Sequence, residues 1–310
     1  MHTIVFFDRD TIAPQIQLRA PGFEHELITH ARTAPEQVIE RLQGASIAIT
    51  NKVVLNAELL EQLPALKLIA VSATGTDCVD KAACARLGIA VTNIRGYAVN
   101  TVPEHVFALI LALRRNLIAY RQDVLAGRWQ AAGQFCFFDH PIRDLAGARL
   151  GIVGAGVLGQ KVAALARAFG MDTVFAEHKG AVAVREGYLA WDEVIATSDI
   201  LTLHCPLTPA TRGLIAMPEF RAMRRRPLII NTGRGGLVDE AALAQALEEG
   251  LISGAGFDVA TQEPAPAGHP LLAIAGRPDV ILTPHVAWAS DEQPSWPSSA
   301  MHSRIPHRAM

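Results

Sequence analysis

Three polar side chains stand directly after apolar runs that read as buried strands. Arg234 follows LIINTG, Glu263 follows GFDVATQ and His285 follows VILTP. Together these types suit one chemistry. Hydride transfer to a carbonyl leaves negative charge on oxygen, and a protonated His285 can give that oxygen a proton. A carboxylate at Glu263 favours the protonated ring and fixes its orientation. The planar fork of Arg234 grips a carboxylate or the reacting carbonyl, which a lysine does less well. Taken singly, each residue has an ordinary explanation. A histidine in TPH is usually a loop or cap residue, a Glu before Pro is usually exposed, and an Arg near a helix start can be surface charge. Their shared position, just past the carboxyl ends of predicted parallel strands, is the edge where open α/β sheets bind ligands.

A second motif lies upstream. GIVGAGVLGQ places Gly154, Gly156 and Gly159 in G-x-G-x-x-G spacing. The glycines permit a tight turn, let backbone approach a pyrophosphate and let helix pack on strand. The following helix start offers free N–H groups and partial positive charge to that anion. The pattern alone is weak, but here a strand precedes it, a helix follows, and a second strand ends at Glu177. An acid there is expected to accept hydrogen bonds from an adenosine ribose, which favours NAD over NADP because a carboxylate repels a 2′-phosphate. His178 and Lys179 beside it leave that choice open.

The elements that must position these residues can be read from periodicity. TIVFF, SIAIT, LKLIAVS and IAVTN are predicted strands, with helical spacing in PEQVIERLQG and LNAELLEQLP between them. TVPEHVFALILALRRN starts a long buried helix with Thr101 as candidate N-cap. A second series then alternates RLGIVG, DTVFAE, DILTLHCP, RPLIINTG, ISGAGFDV and DVILTPH with helices. Strand–helix alternation means parallel sheets covered by helices. The intervening AGRWQAAGQFCFFDHPIRDLAG has no steady period and reads as a functional loop or an arm to a partner.

Bulk composition narrows the function class. The 310 residues suggest about two domains. A net charge of −2, with both signs spread along the chain, argues against a general grip on nucleic acid or anionic membrane. The cluster Arg224–Arg226 reads as a solvated helix end. Cys78, Cys84, Cys136 and Cys205 form no C-x-x-C pair, so zinc and dithiol chemistry are not expected. No signal-like start or apolar span is seen, and a cytoplasmic location is expected.

LGIVGAGVLGQKVA, HCPLTPATRGLI, LIINTGRGGLVDEAALAQAL, GAGFDVATQEP and LTPHVAW together resemble the D-2-hydroxyacid dehydrogenases. AITNKVVLNAELLEQLPALKLIAVSATGTDCVD and FCFFDHPIRDL are similar to the glycerate dehydrogenase, or hydroxypyruvate reductase, branch. The resemblance covers about residues 1–290. It implies an α/β protein in which a Rossmann-like NAD-binding domain, residues 100–285, is inserted in a flavodoxin-like substrate domain, residues 1–99 and 286–310, with the active site in the cleft. It implies catalytic roles for Arg234, Glu263 and His285, with Arg234 on the substrate carboxylate. Asp258 would contact the nicotinamide carboxamide, and Val157 and Leu158 would offer backbone to the pyrophosphate. Pro206 and Thr211 would line the adenosine side, and Thr232 and Gly233 would border the cofactor. Thr74 and Gly75, in SATGTD, would hold the substrate carboxylate through backbone N–H groups. The segment 121–147 around Trp129 looks like the family's dimerisation arm, which implies a homodimer. The activity implied is NAD-dependent reduction of hydroxypyruvate, and of glyoxylate. Reduction of another 2-keto acid, or an NAD(H)-binding interaction module with little turnover, fits the same motifs.

The tail departs from the family. Ser290-Asp291-Glu292-Gln293 has the form of a capping box, but Pro294 falls where the first intrahelical N–H is needed. Pro297 and Pro306 follow without an apolar stripe, so no continuous helix is expected beyond about Pro294.

Overall fold

Apolar runs too short for a helix and bounded by turn residues form parallel strands in both halves of the chain. The computed structural model describes residues 1–14, 16 and 20–290. The tail beyond Pro294, and the helix expected to be missing there, lie outside the described residues. The chain divides into two units, Met1–Ala98 with the segment beginning at Ser290, and Val99–Ala289.

The first unit runs β1 (His2–Phe6), β2 (His25–Thr29), α1 (Val38–Leu42), β3 (Ile47–Thr50), α2 (Ala57–Leu60), β4 (Leu68–Val71), α3 (Lys81–Leu87) and β5 (Ala90–Asn93). Its sheet has the order β2-β1-β3-β4-β5 with every pairing parallel, a flavodoxin-like arrangement. Strand alternation splits the core across it. Val5, Phe7, Ala48, Ile69 and Val71 pack on one face against Val38, Leu42 and Leu60, while Ile4, Phe6, Ile47, Ile49, Leu68 and Ala70 fill the other. β2 was not legible as a strand. HELIT has no buried position, and main-chain pairing with β1 holds it at the sheet edge. Beyond β1 the buried Asp8 accepts from the backbone N–H groups of Asn51 and Lys52, tying the ends of β1 and β3 together. Burial outweighs those donors and raises its pKa.

The second unit runs α4 (Thr101–Arg114), α5 (Leu117–Leu125), α6 (Arg128–Ala132), β6 (Arg149–Val153), α7 (Val157–Ala168), β7 (Asp172–Ala176), β8 (Tyr188–Leu189), α8 (Trp191–Thr197), β9 (Ile200–Leu203), α9 (Met217–Ala222), β10 (Leu228–Asn231), α10 (Glu240–Glu248), β11 (Gly254–Phe257), α11 (Pro270–Ile274) and β12 (Val280–Leu282). Its parallel sheet has the order β12-β11-β10-β9-β6-β7-β8. The sheet grows outward from β6 through β7 to β8, then returns to β9 on the opposite side of β6. That reversal is the Rossmann switch point, and it opens a ligand crevice at the carboxyl end of β6.

The long helix α4 lies on this sheet. Val102, Val106, Leu109, Ile110 and Leu113 are buried along one broad face, while Glu104 and Ala108 are exposed, so it is amphipathic rather than apolar all round. Gly256 permits the close approach: a Cβ there would stand 3.2 Å from Leu109 Cβ. Thr101 is not the N-cap. Asn100 is already helical in its backbone angles and takes that position, while the Thr101 hydroxyl is buried without a hydrogen-bond partner among the described residues. The segment read as irregular contains the short helix α6. The second compact unit runs to Ala289, and within it Asp258 holds the backbone of Val286 and Ala287.

Candidate active site

The glycine loop after β6 is shaped by contact, not by sequence alone. Gly154 has φ +103, and a Cβ on it would meet the backbone of His204 and Cys205 within 2.8 Å. At Gly159 a Cβ would lie 2.0 Å from the Gly154 carbonyl oxygen, whereas at Gly156 it would meet nothing within 4 Å. The middle glycine therefore faces open space in front of α7, as a backbone approached by a ligand must. Gly156 is the α7 N-cap and supplies no side-chain cap, so the first-turn N–H groups of Val157, Leu158 and Gly159 remain for an anion. Gly159→Ala is expected to destabilise the protein by about 1–3 kcal/mol through overpacking. Thermal denaturation measures this; an unchanged Tm would mean the loop relaxes freely. Cys205, beside the loop, has its thiol pushed up to about 11 by burial, which disfavours the thiolate.

Glu177 stands just past β7, where an adenosine ribose is expected, but its carboxylate is already engaged. Oε1 accepts from the backbone N–H of His178 (2.8 Å) and from Arg185 Nη2 (2.6 Å). Oε2 accepts from the backbone N–H (3.0 Å) and Nε (2.7 Å) of the same arginine. The Arg185 hydrogen bonds and the His178 N–H hold the Glu177 carboxyl down to about 2. Because the folded value is depressed, the pair stabilises the protein above the ordinary value of 4.5, and that contribution is lost as pH falls towards about 2. The difference in Tm between the wild type and Glu177→Gln should therefore shrink across that window; a difference that stays constant would mean the pair does not titrate with folding. Lys179, one of the two basic neighbours that left the NADP choice open, is paired elsewhere, 2.6 Å from Glu219.

The three polar residues noticed in the sequence follow β10, β11 and β12, all at the carboxyl edge that carries the glycine loop. Asn231, buried at the end of β10, donates from Nδ2 to the Arg234 carbonyl (2.9 Å) and accepts from the Gly233 N–H (3.1 Å). These bonds staple the turn Thr232–Gly233–Arg234. The Thr232 hydroxyl is buried without a hydrogen-bond partner among the described residues, an orphan that a bound cofactor could satisfy. Arg234 is half-buried, and its Nη1 donates to the Gly233 carbonyl. Glu263 and His285 meet directly, with Nδ1 2.6 Å from Oε2. The other Glu263 oxygen accepts from the Ala260 N–H.

His285 itself is held in an uncommon backbone state, φ +55. For a residue with a Cβ that costs about 1–2 kcal/mol, and the surrounding hydrogen bonds over-determine it. Asp258, fully buried, accepts from the Val286 N–H (2.9 Å), the Ala287 N–H (2.8 Å) and the Thr283 hydroxyl (2.6 Å). Thr283 thus remains to accept from His105 Nε2 on α4 (3.0 Å), and Trp288 donates to the His285 carbonyl (2.8 Å). The bracketed imidazole, oriented by a carboxylate and set at the edge of a dinucleotide-type sheet, suits proton transfer beside a hydride carrier.

Comparison with known proteins accords with this geometry. The sequence model of the D-isomer specific 2-hydroxyacid dehydrogenase NAD-binding domain matches residues 107–287. The chain belongs to the D-2-hydroxyacid dehydrogenase family. It is 50% identical over 290 residues to a glycerate dehydrogenase of Methylorubrum extorquens, covering 93% of this chain and 90% of that protein. A hydroxypyruvate reductase of Blautia hydrogenotrophica is 35% identical, covering 86% and 84%. Among solved structures, an Aquifex aeolicus D-lactate dehydrogenase with NAD and lactic acid has a TM-score of 0.76 at 28% identity, covering 93% of this chain and 90% of that one. A Sinorhizobium meliloti NADPH-dependent glyoxylate/hydroxypyruvate reductase with NADP and malonate has a TM-score of 0.78 at 29% identity, covering 94% and 88%.

In this dehydrogenase several supporting residues escape sequence reading. Glu240, buried at the start of α10, accepts from the Thr261 N–H (2.7 Å), and its other oxygen lies 3.1 Å from His269 Nε2. His269 Nδ1 in turn accepts from the Leu271 N–H. Glu240 and His269 so clamp both ends of the loop that carries Glu263. Gly235 presses on the same loop, since a Cβ there would lie 2.0 Å from the Ala260 carbonyl oxygen. Asp239 caps α10 in the structure, but nothing in the sequence spacing pairs Glu240 with His269.

The remaining expected residues are placed as follows. Pro206 and Thr211 form the loop after β9, where the Thr211 hydroxyl donates to the Pro206 carbonyl (2.7 Å). Thr74 and Gly75 lie in the loop after β4 of the first unit, and the Thr74 carbonyl accepts from Asn93 Nδ2. In the basic cluster, Arg225 pairs with Asp199 (2.9 Å). Among the described residues no helix is long and apolar enough to cross a membrane.

Proposed function

We propose that this family member reduces hydroxypyruvate to D-glycerate, with glyoxylate as a second substrate and NADH as reductant. The observation that carries the reading is the Glu263–His285 pair, 2.6 Å apart, at the edge that also bears the glycine loop. The M. extorquens relative, a glycerate dehydrogenase at 50% identity, supports this choice of substrate. When bound, the nicotinamide supplies the hydride. The chain does the rest. Gly154, Gly156, Val157, Leu158 and Gly159 receive the pyrophosphate, and Glu177, Pro206, Thr211, Thr232, Gly233 and Asp258 border the remainder of the cofactor.

Arg234 binds the carboxylate of the keto acid, and for the first unit we retain Thr74 and Gly75 as backbone donors to substrate. His285 Nδ1 is occupied by Glu263, so the proton given to the carbonyl oxygen leaves from Nε2. Glu263 holds Nδ1 and keeps the ring oriented. On this reading residues 100–285 act as the NAD domain and residues 1–99 and 286–310 as the substrate domain. The decisive measurement is NADH oxidation with a panel of 2-keto acids. Fastest turnover per KM with hydroxypyruvate is expected, and a better branched or aromatic keto acid would overturn the substrate assignment.

The 121–147 arm is read as the surface of a homodimer, in a cytoplasmic protein. Leu125, Phe135 and Phe138 are 71%, 89% and 79% exposed, apolar area that a second copy would cover. Sedimentation should give twice the chain mass, and a monomer at micromolar concentration would refute the dimer.

A further inference from the structure

The end of β7 is the place where a Rossmann sheet tells NAD from NADP, and here it does not present a bare acid. A carboxylate has about four accepting positions, and in Glu177 they are filled by one backbone N–H of His178 and three N–H groups of Arg185. The carboxylate is nearly inaccessible, at 3%, whereas the Arg185 side chain is 52% exposed. The guanidinium is also stacked 4.0 Å from the Tyr188 ring centroid, which fixes its plane. The surface offered at this strand end is therefore the outer face of an arginine.

We propose that Arg185 is a specificity-determining residue for the cofactor: by neutralising Glu177 and presenting its own guanidinium, it admits the 2′-phosphate of NADPH alongside NADH. The inference rests on the dehydrogenase reading above and deepens it. A bare Glu177 would repel a dianionic 2′-phosphate; the ion pair removes that repulsion and supplies a planar donor suited to phosphate oxygens. NADH loses nothing essential, because a ribose hydroxyl can also accept from the guanidinium.

The test is direct nucleotide binding without substrate, following the fluorescence of bound NADH and NADPH. The wild type should bind the two with Kd values within about tenfold of each other. Arg185→Ala should weaken NADPH by about tenfold or more, the scale of one lost charge-assisted contact, while NADH changes little. Arg185→Lys, which keeps the charge but not the fork, should fall between, and serves if the alanine variant folds poorly. Added salt should weaken NADPH more than NADH. Equal weakening of both nucleotides, or no change in either, would overturn the proposal and reduce Arg185 to a loop staple. Wild-type exclusion of NADPH by more than about a hundredfold, some 2.7 kcal/mol, would overturn it as well. Failure of the wild type to bind either nucleotide would remove the dehydrogenase reading and this inference with it.

Discussion

His285→Asn should cut turnover of hydroxypyruvate by about a hundred- to ten-thousand-fold, the range for losing a positioned acid–base group. Asparagine is the informative replacement. It tolerates the left-handed backbone that His285 occupies at φ +55, so the loop is kept while the proton donor is removed. NADH binding should be nearly unchanged, because the glycine loop after β6 belongs to a different strand end. Steady-state kinetics and nucleotide titration together decide it. Turnover within about threefold of the wild type would remove His285 as proton donor, since that is far below the contribution of general acid catalysis. Glu263→Gln should give a smaller loss. The ring would keep a hydrogen-bonding neighbour but lose the carboxylate acceptor that fixes its orientation.

Asp258→Ala should be the most destabilising substitution at the site. Its two oxygens receive the N–H groups of Val286 and Ala287 and the Thr283 hydroxyl; the carboxylate and Ala287 are buried, the other two donors partly so. Each donor left buried and unsatisfied costs about 1–3 kcal/mol. The sum, about 3–5 kcal/mol after partial relaxation, corresponds to a fall in Tm of roughly 10 °C for a domain of this size. Activity should fall too, because the same bonds hold the segment that positions His285. Asp258→Asn retains one acceptor and should lie between. A Tm unchanged in the alanine variant would mean that water replaces the carboxylate. The sequence-based role of Asp258, a contact to the nicotinamide carboxamide, is compatible with these bonds, but the residue's work in this structure is to anchor backbone.

Much of the architecture was legible because its signals are local. Short, largely apolar runs marked the four-residue strands β3, β4, β9 and β10, and the glycine spacing marked the turn into α7. The Glu263–His285 pair was legible because each residue follows a strand, and parallel strands deliver their ends to one edge. What escaped depends on distant or featureless partners. β2 carries no buried face and is defined by its neighbour. Arg185 sits in an aperiodic stretch of glycine, alanine and valine, and only the fold of the 178–187 loop brings it back to Glu177. Glu240 and His269 are joined across a loop that no pattern predicts. Thr101 looked like a cap from its type, and the backbone of Asn100 decided otherwise.

The contact at Gly235 has a consequence for redesign. With no room for even a methyl group between it and Ala260, the Arg234 turn and the Glu263 loop form a single mechanical part. Swapping either loop for a relative's, to retune which keto acid is accepted, would leave mismatched halves; a graft should carry residues 232–236 and 260–269 as one cassette.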